Sequence, residues 1–140
     1  MSEPGPHRTS PSPIPTRWRG PLAVLGGGLL GSAARGTIAA ALPTALGEFP
    51  VATLMVNLFG SFLLGFYLAR RERAVSAQWS LRFWAIGVLG SFTTFSTFSL
   101  EVFRLIEIGH LSTAVGYVLA STLGGLAVAL IGDRVGAVAR

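Results

Sequence analysis

The sequence predicts an all-α integral membrane protein with four transmembrane helices, the third broken near its middle. Three observations carry that expectation. Hydrophobic residues make up 51% of the 140 and charged residues only 12%, whereas a soluble domain carries about 25% charged residues. The mean hydropathy is +0.61, and the apolar residues gather in four blocks near the roughly 20-residue length that crosses a bilayer core. The third block contains Gly90-Ser91-Phe92-Thr93-Thr94-Phe95-Ser96-Thr97-Phe98-Ser99, with six hydroxyls, three Phe and no charge.

That run offers hydrogen-bonding groups and rings but no acid, base or thiolate, which is the inventory of a binding or conducting surface. Its hydroxyls compete with the backbone for hydrogen bonds, and Gly90 adds a weak point before them, so a break between Gly90 and Thr94 is expected. Irregular backbone at membrane depth is tolerated where it is buried in protein or lines a cavity. The hydroxyls would then face a pathway, and freed carbonyls would suit a cation.

In chain order, residues 1–20 hold five of the eight prolines and few apolar side chains. They read as a disordered basic tail. The channel-like region is expected over 21–134, with spans at about 22–42, 51–69, 83–104 and 112–132. In the first span, Gly26, Gly28 and Gly31 formally match a dinucleotide fingerprint, but no strand precedes them. Gly27 and Gly31 form a small-xxx-small pair that lets another helix approach closely. Arg35 has two readings, an anion-attracting vestibule or a side chain snorkelling to the interface. Asn57, the strongly polar group of the second span, is either a helix-to-helix hydrogen bond or, with Ser61 at i+4, part of a polar stripe. In the third span Phe95 and Phe98 project from one side, as packing aromatics or as pathway rings. Glu101 and Arg104 suit an i,i+3 salt bridge, while Glu101 also has the reach to enter a polar interior. Tyr117 and Ser121 in the fourth span are one turn apart, so Tyr117 is an interface-belt residue or half of a second polar stripe.

The charge pattern excludes several functions. Eleven Arg face six acids, for a net charge of +5, yet no basic patch is interleaved with aromatics, so flanking of membrane spans is favoured over nucleic-acid binding. Zero Cys excludes disulfides and thiolate catalysis, and His7 and His110 are too far apart for a metal-ligand cluster. No nucleophile, base and orienting group can be assembled, so an enzyme is not expected. A small proton-coupled exporter remains the alternative, but it needs a membrane-embedded carboxylate, for which Glu101 is the candidate.

Four motifs carry a family resemblance: GGGLLGSAAR in the first span, TLMVNLFGSFLLGF in the second, GSFTTFSTFSLE in the third, and the Tyr117 to Ser121 face in the fourth. Across residues 22 to 131 the chain resembles the bacterial fluoride channel family (Fluc, also called CrcB). The resemblance implies a dual-topology antiparallel dimer with two fluoride pores, lowering cytoplasmic fluoride by passive exit, and a structural sodium ion at the dimer interface. It implies carbonyls of Gly90 and Thr93 as sodium ligands and Phe95 and Phe98 as the rings of the fluoride path. Asn57, Ser96, Thr97, Tyr117 and Ser121 match its polar pore lining, and Arg35 its vestibule. The tail lies outside the resemblance.

The chemistry agrees with that reading. Fluoride is small and strongly hydrated, so a pore must replace its water with donors such as an Asn amide and Ser, Thr or Tyr hydroxyls. Phenyl edges are electropositive and add a second device. In one respect the chain departs from a symmetric dual-topology protein. The termini and the loop between spans two and three carry nine Arg against Arg104 on the other side. This imbalance favours both termini in the cytoplasm, with the resemblance implying a bacterial plasma membrane, and leaves two assemblies open, a homodimer and a pair with an oppositely oriented homologue.

Overall fold

Four helical crossings long and apolar enough to span a membrane organise the chain. The computed structural model describes residues 16–72 and 78–138. The first crossing is α1 (Thr16–Ala41) and the second α2 (Val51–Glu72). The third is composite: α3 (Gln78–Ser80), a π-helical segment (Leu81–Leu89), α4 (Gly90–Phe92) and α5 (Phe95–Glu107). The fourth is α6 (Leu111–Val138). No strand occurs among the described residues.

These bounds refine the expected spans. Helix α1 starts at Thr16, so residues 16–20 belong to the first crossing, and Pro21 lies inside the helix. Pro21 is the sixth residue of the helix, past the first turn, so it forgoes the bond to Arg17 O and its ring crowds that carbonyl. The tail expectation for residues 1–15 lies outside the described residues, as does Arg73. Arg70 and Arg71 occupy the last turn of α2 rather than a loop.

The third crossing breaks within the expected stretch. Thr93 (φ −74°, ψ 158°) and Thr94 (φ −147°, ψ 119°) are extended, with helix on both sides. The π-helical segment ahead of the break was not legible in the sequence. There the Gly90 N–H reaches back to Ala85 O as well as Gly87 O, the wider turn that commonly marks functional sites in helices.

Helices pair through glycine. Residues 20, 27 and 31 of α1 meet Arg82, Phe83 and Val88 in turn, so α1 runs parallel to the first half of the third crossing. A Cβ on Gly27 would overlap Phe83 O, and one on Gly31 would overlap Val88 O. The small-xxx-small pair therefore brings two backbones together, as its spacing predicts. Along α2 and α6 the same device recurs, Gly65 facing Ala129 O and Gly132 facing Phe62 O. These two helices are also parallel.

The turns away from the termini are closed by two glycines with positive φ, Gly47 (88°) and Gly109 (81°). Gly109 ends α5 in a Schellman turn, with Gly109 N–H bonded to Ile106 O at 3.0 Å and His110 N–H to Leu105 O at 2.8 Å. His110 Nδ1 then lies 3.1 Å from Gly47 O, tying the two turns together.

Gly31→Ala should lower the thermal transition of the detergent-solubilised protein, by the roughly 1–3 kcal/mol typical of overpacking against a rigid neighbour. Gly36→Ala meets open space and should leave the transition unchanged or raise it. Equal transitions in both variants would show that glycine contact does not set the approach of α1.

Candidate functional site

The break leaves backbone groups that hydrocarbon cannot satisfy. Asn57 satisfies two of them. Its Nδ2 donates to Thr94 O at 3.0 Å, and its Oδ1 accepts from Thr94 N–H at 2.8 Å. The side-chain amide thus stands in for a peptide unit of a neighbouring strand. Arg35 serves the preceding turn, its Nε donating to Ser91 O at 3.2 Å. Both residues fix the break from different helices, which joins the helix-to-helix reading of Asn57 with the polar-stripe one. Gly60 makes room for the arrangement, since a Cβ there would overlap the Thr93 methyl.

Beyond the break the chain restarts on a capped helix. Thr94 Oγ1 accepts from Thr97 N–H at 3.1 Å, the N-cap bond of α5. The same hydroxyl donates to Thr97 Oγ1 at 2.9 Å and lies 3.3 Å from Ser96 Oγ. This cap and the Asn57 clamp redirect two amides that a continuous helix would use. Thr94 N–H would bond Gly90 O, but Asn57 takes it; Thr97 N–H would bond Thr93 O, but Thr94 Oγ1 takes it. The carbonyls of Gly90 and Thr93 are left without those helical partners.

A cavity of about 350 Å³ opens beside the break. Asn57, Gly90, Thr93, Phe95, Phe98 and Ser121 all line it, together with Ser61, the predicted companion of Asn57. Ser121 Oγ is buried and has no hydrogen-bond partner, which costs about 1–3 kcal/mol when nothing binds there. The second N–H of the Asn57 amide is likewise untaken by any described acceptor. The Phe95 and Phe98 ring centroids are 5.9 Å apart with planes at 39°. Phe95 is 80% exposed, so one chain closes only one side of this cavity.

Other predicted residues lie elsewhere. Tyr117 is fully buried, which rules out the interface-belt reading, and Phe98 packs on its ring at 5.1 Å. Its hydroxyl donates to Glu101 Oε2 at 2.7 Å, while Thr53 Oγ1 donates to Glu101 Oε1 at 2.8 Å. Glu101 therefore enters the polar interior, and among the described residues it forms no ion pair with Arg104. Two short hydroxyl bonds satisfy the carboxylate where an exposed i,i+3 pair would contribute only tenths of a kcal/mol. Thr97 and Arg35 share a second cavity of about 40 Å³ with Thr53 and Thr94. Ser96 is exposed. Thr53 was missed because a single Thr among apolar residues carries no signal; its position one turn before Asn57 was the available clue. Among the described residues no group of three or more His, Asp or Glu could hold a metal ion.

Four crossings around an interrupted helix, with unclaimed donors at the interruption, define a membrane transport protein of the broken-helix kind. Residues 22–133 match the family model described as CrcB-like protein, Camphor Resistance (CrcB). The chain is 48% identical over 103 residues to the fluoride-specific ion channel FluC of Saccharophagus degradans, covering 73% of this chain and 77% of that one. It is 44% identical over 117 residues to the fluoride-specific ion channel FluC of Thermus thermophilus, covering 82% and 93%. A third relative, fluoride-specific ion channel FluC 1 of Yersinia pestis, is 42% identical over 112 residues, covering 79% and 87%. The chain belongs to the CrcB family.

Asn57→Asp keeps the acceptor for Thr94 N–H but replaces the donor to Thr94 O with a repelling oxygen. Transport in liposomes should fall by about tenfold, the equivalent of one lost neutral hydrogen bond, and the Thr94 amide should exchange faster with deuterium because repulsion at Thr94 O pulls the clamp apart. Unchanged transport and exchange would remove Asn57 from the clamp.

Proposed function

We propose that this protein is a fluoride-selective channel through which cytoplasmic fluoride leaves the cell passively, lowering its toxicity. The observation that carries the reading is the cavity at the break, where an unpartnered Ser121 hydroxyl and a spare Asn57 N–H share a wall with Phe95 and Phe98. Donors compensate the lost water of a small hard anion, and ring edges add electropositive surface of limited width. Every group in the cavity is neutral, so the site does not hold an anion by full charge, consistent with release as well as capture. The relatives named as fluoride-specific ion channels support the same substrate and a non-enzymatic role.

The exposed Phe95 supports an assembly of two chains. A second copy, or an oppositely oriented homologue, would close the open side of the cavity. The freed carbonyls of Gly90 and Thr93 fit a sodium ion at such an interface, because a hard monovalent cation takes neutral oxygen ligands. Two carbonyls from each of two chains would hold it, and when bound the ion would supply positive charge near the pathway. Arg35 would add charge at the vestibule through the guanidinium nitrogens not engaged by Ser91. The arginine imbalance supports cytoplasmic termini in a bacterial plasma membrane and favours a homologous partner of opposite orientation.

Purified protein in liposomes should pass fluoride and essentially no chloride, as read by an ion-selective electrode. Phe95→Ile and Phe98→Ile should each cut fluoride flux by about tenfold or more while leaving the assembly intact. Equal chloride and fluoride flux, or full flux in both variants, would overturn the reading. A reporter on the C-terminus of the chain expressed alone should give signal from the cytoplasmic side. Strong signal from both sides, together with fluoride flux, would establish a dual-topology homodimer.

A further inference from the structure

We infer that the terminal end of the molecule is a binding surface for anionic phospholipid, built around the start of the third crossing. Its floor is aromatic. All three Trp of the chain, Trp18, Trp79 and Trp84, lie at this end. Trp79 stacks on Phe83 at 5.3 Å with planes 8° apart, and Trp84 meets the same ring edge-on at 5.0 Å. Such rings settle at the headgroup level, where one edge is wet and the other apolar.

The cations stand around that floor. Arg82 crosses from the third crossing onto α1, its guanidinium pressed against Gly20, next to the exposed Arg19. Tyr67 Oη and Ser80 Oγ, 2.9 Å apart, tie the end of α2 to the start of the third crossing, and Arg71 lies one turn past Tyr67. Arg71 Nε is buried and has no hydrogen-bond partner. No described carboxylate pairs with Arg19, Arg71 or Arg82. A guanidinium N–H without an acceptor, at the end of the molecule that also carries Arg19, Arg82 and the aromatic belt, fits a phosphate group whose acyl chains lie along the exposed apolar helix faces. A lipid supplies both parts, and a soluble phosphate supplies one.

The surface does not depend on which ion the protein conducts. Its test uses the three tryptophans, which report on this end and no other. The full-length protein is reconstituted into vesicles of phosphatidylcholine containing either brominated phosphatidylglycerol or brominated phosphatidylcholine. Quenching should favour the brominated phosphatidylglycerol by about fivefold or more, as expected where arginines face anionic headgroups. The preference should shrink toward one as salt rises through about 0.5 M. In Arg19→Gln/Arg71→Gln it should fall at least about threefold, with the elution volume of the assembly unchanged. Equal quenching by the two lipids, a preference indifferent to salt, or its survival in the double variant would overturn the inference. Displacement of the preference by millimolar glycerol phosphate would assign the site to soluble phosphate instead. Because the readout is fluorescence, it stands or falls separately from fluoride flux.

Discussion

The structure depends on one demand, that backbone freed from a helix inside hydrocarbon must find partners within the protein. Thr93 and Thr94 leave the helix at mid-membrane, and each unmet group there costs several kcal/mol. The Asn57 amide answers both polar groups of Thr94, Arg35 answers Ser91 O, and Thr94 Oγ1 caps the helix that follows. With these partners in place the break is a stable element, and the cavity, the freed carbonyls and the outward Phe95 follow from it. Without them the lowest-energy course for the same residues is a continuous helix, which has no such cavity.

Much of this was legible in the sequence. The four crossings follow from apolar block lengths, and the location of the break from the density of hydroxyls after Gly90, because both are local properties. Gly27 and Gly31 were readable as an approach site for the same reason. The π-helical segment was not, since Leu81–Leu89 is an ordinary apolar stretch whose wide turns reflect what packs against it. Partner assignments were also hidden: Glu101 has Arg104 within one turn, but its bonds run to Thr53 and Tyr117, 48 and 16 residues away. Spacing along a helix identifies neighbours and says nothing of which distant hydroxyl competes with them. The start of α1 at Thr16 was obscured by proline content, a property of the segment that the helix overrides within its first turns.

Division of labour among the polar residues follows from where their protons go. Thr53 and Tyr117 direct theirs at one carboxylate, and Thr93 directs its own at Leu89 O. These groups are occupied within the protein. Ser121 and the second Asn57 N–H are not, and both residues line the same cavity. A count of hydroxyls along the motif would rank all of them alike, whereas the hydrogen-bond pattern separates a scaffold from a lining.

Parallel pairing of α1 with the third crossing, and of α2 with α6, has an electrostatic consequence. Each helix carries a dipole with its positive pole at the N-terminus, so partners in a parallel pair place like poles side by side. Close backbone contact at glycine has to outweigh that repulsion, while the two pairs, running in opposite senses, cancel each other across the four-helix unit. The basic end is therefore not uniform. Arg70 and Arg71 sit on the carbonyl pole of α2, which offsets part of their charge. Arg17 and Arg19 sit in the first turns of α1, on a pole of their own sign, with no acidic residue in that turn. The pole of α2 thus eases the mutual repulsion of its two arginines, while that of α1 adds to the potential that an approaching anion meets.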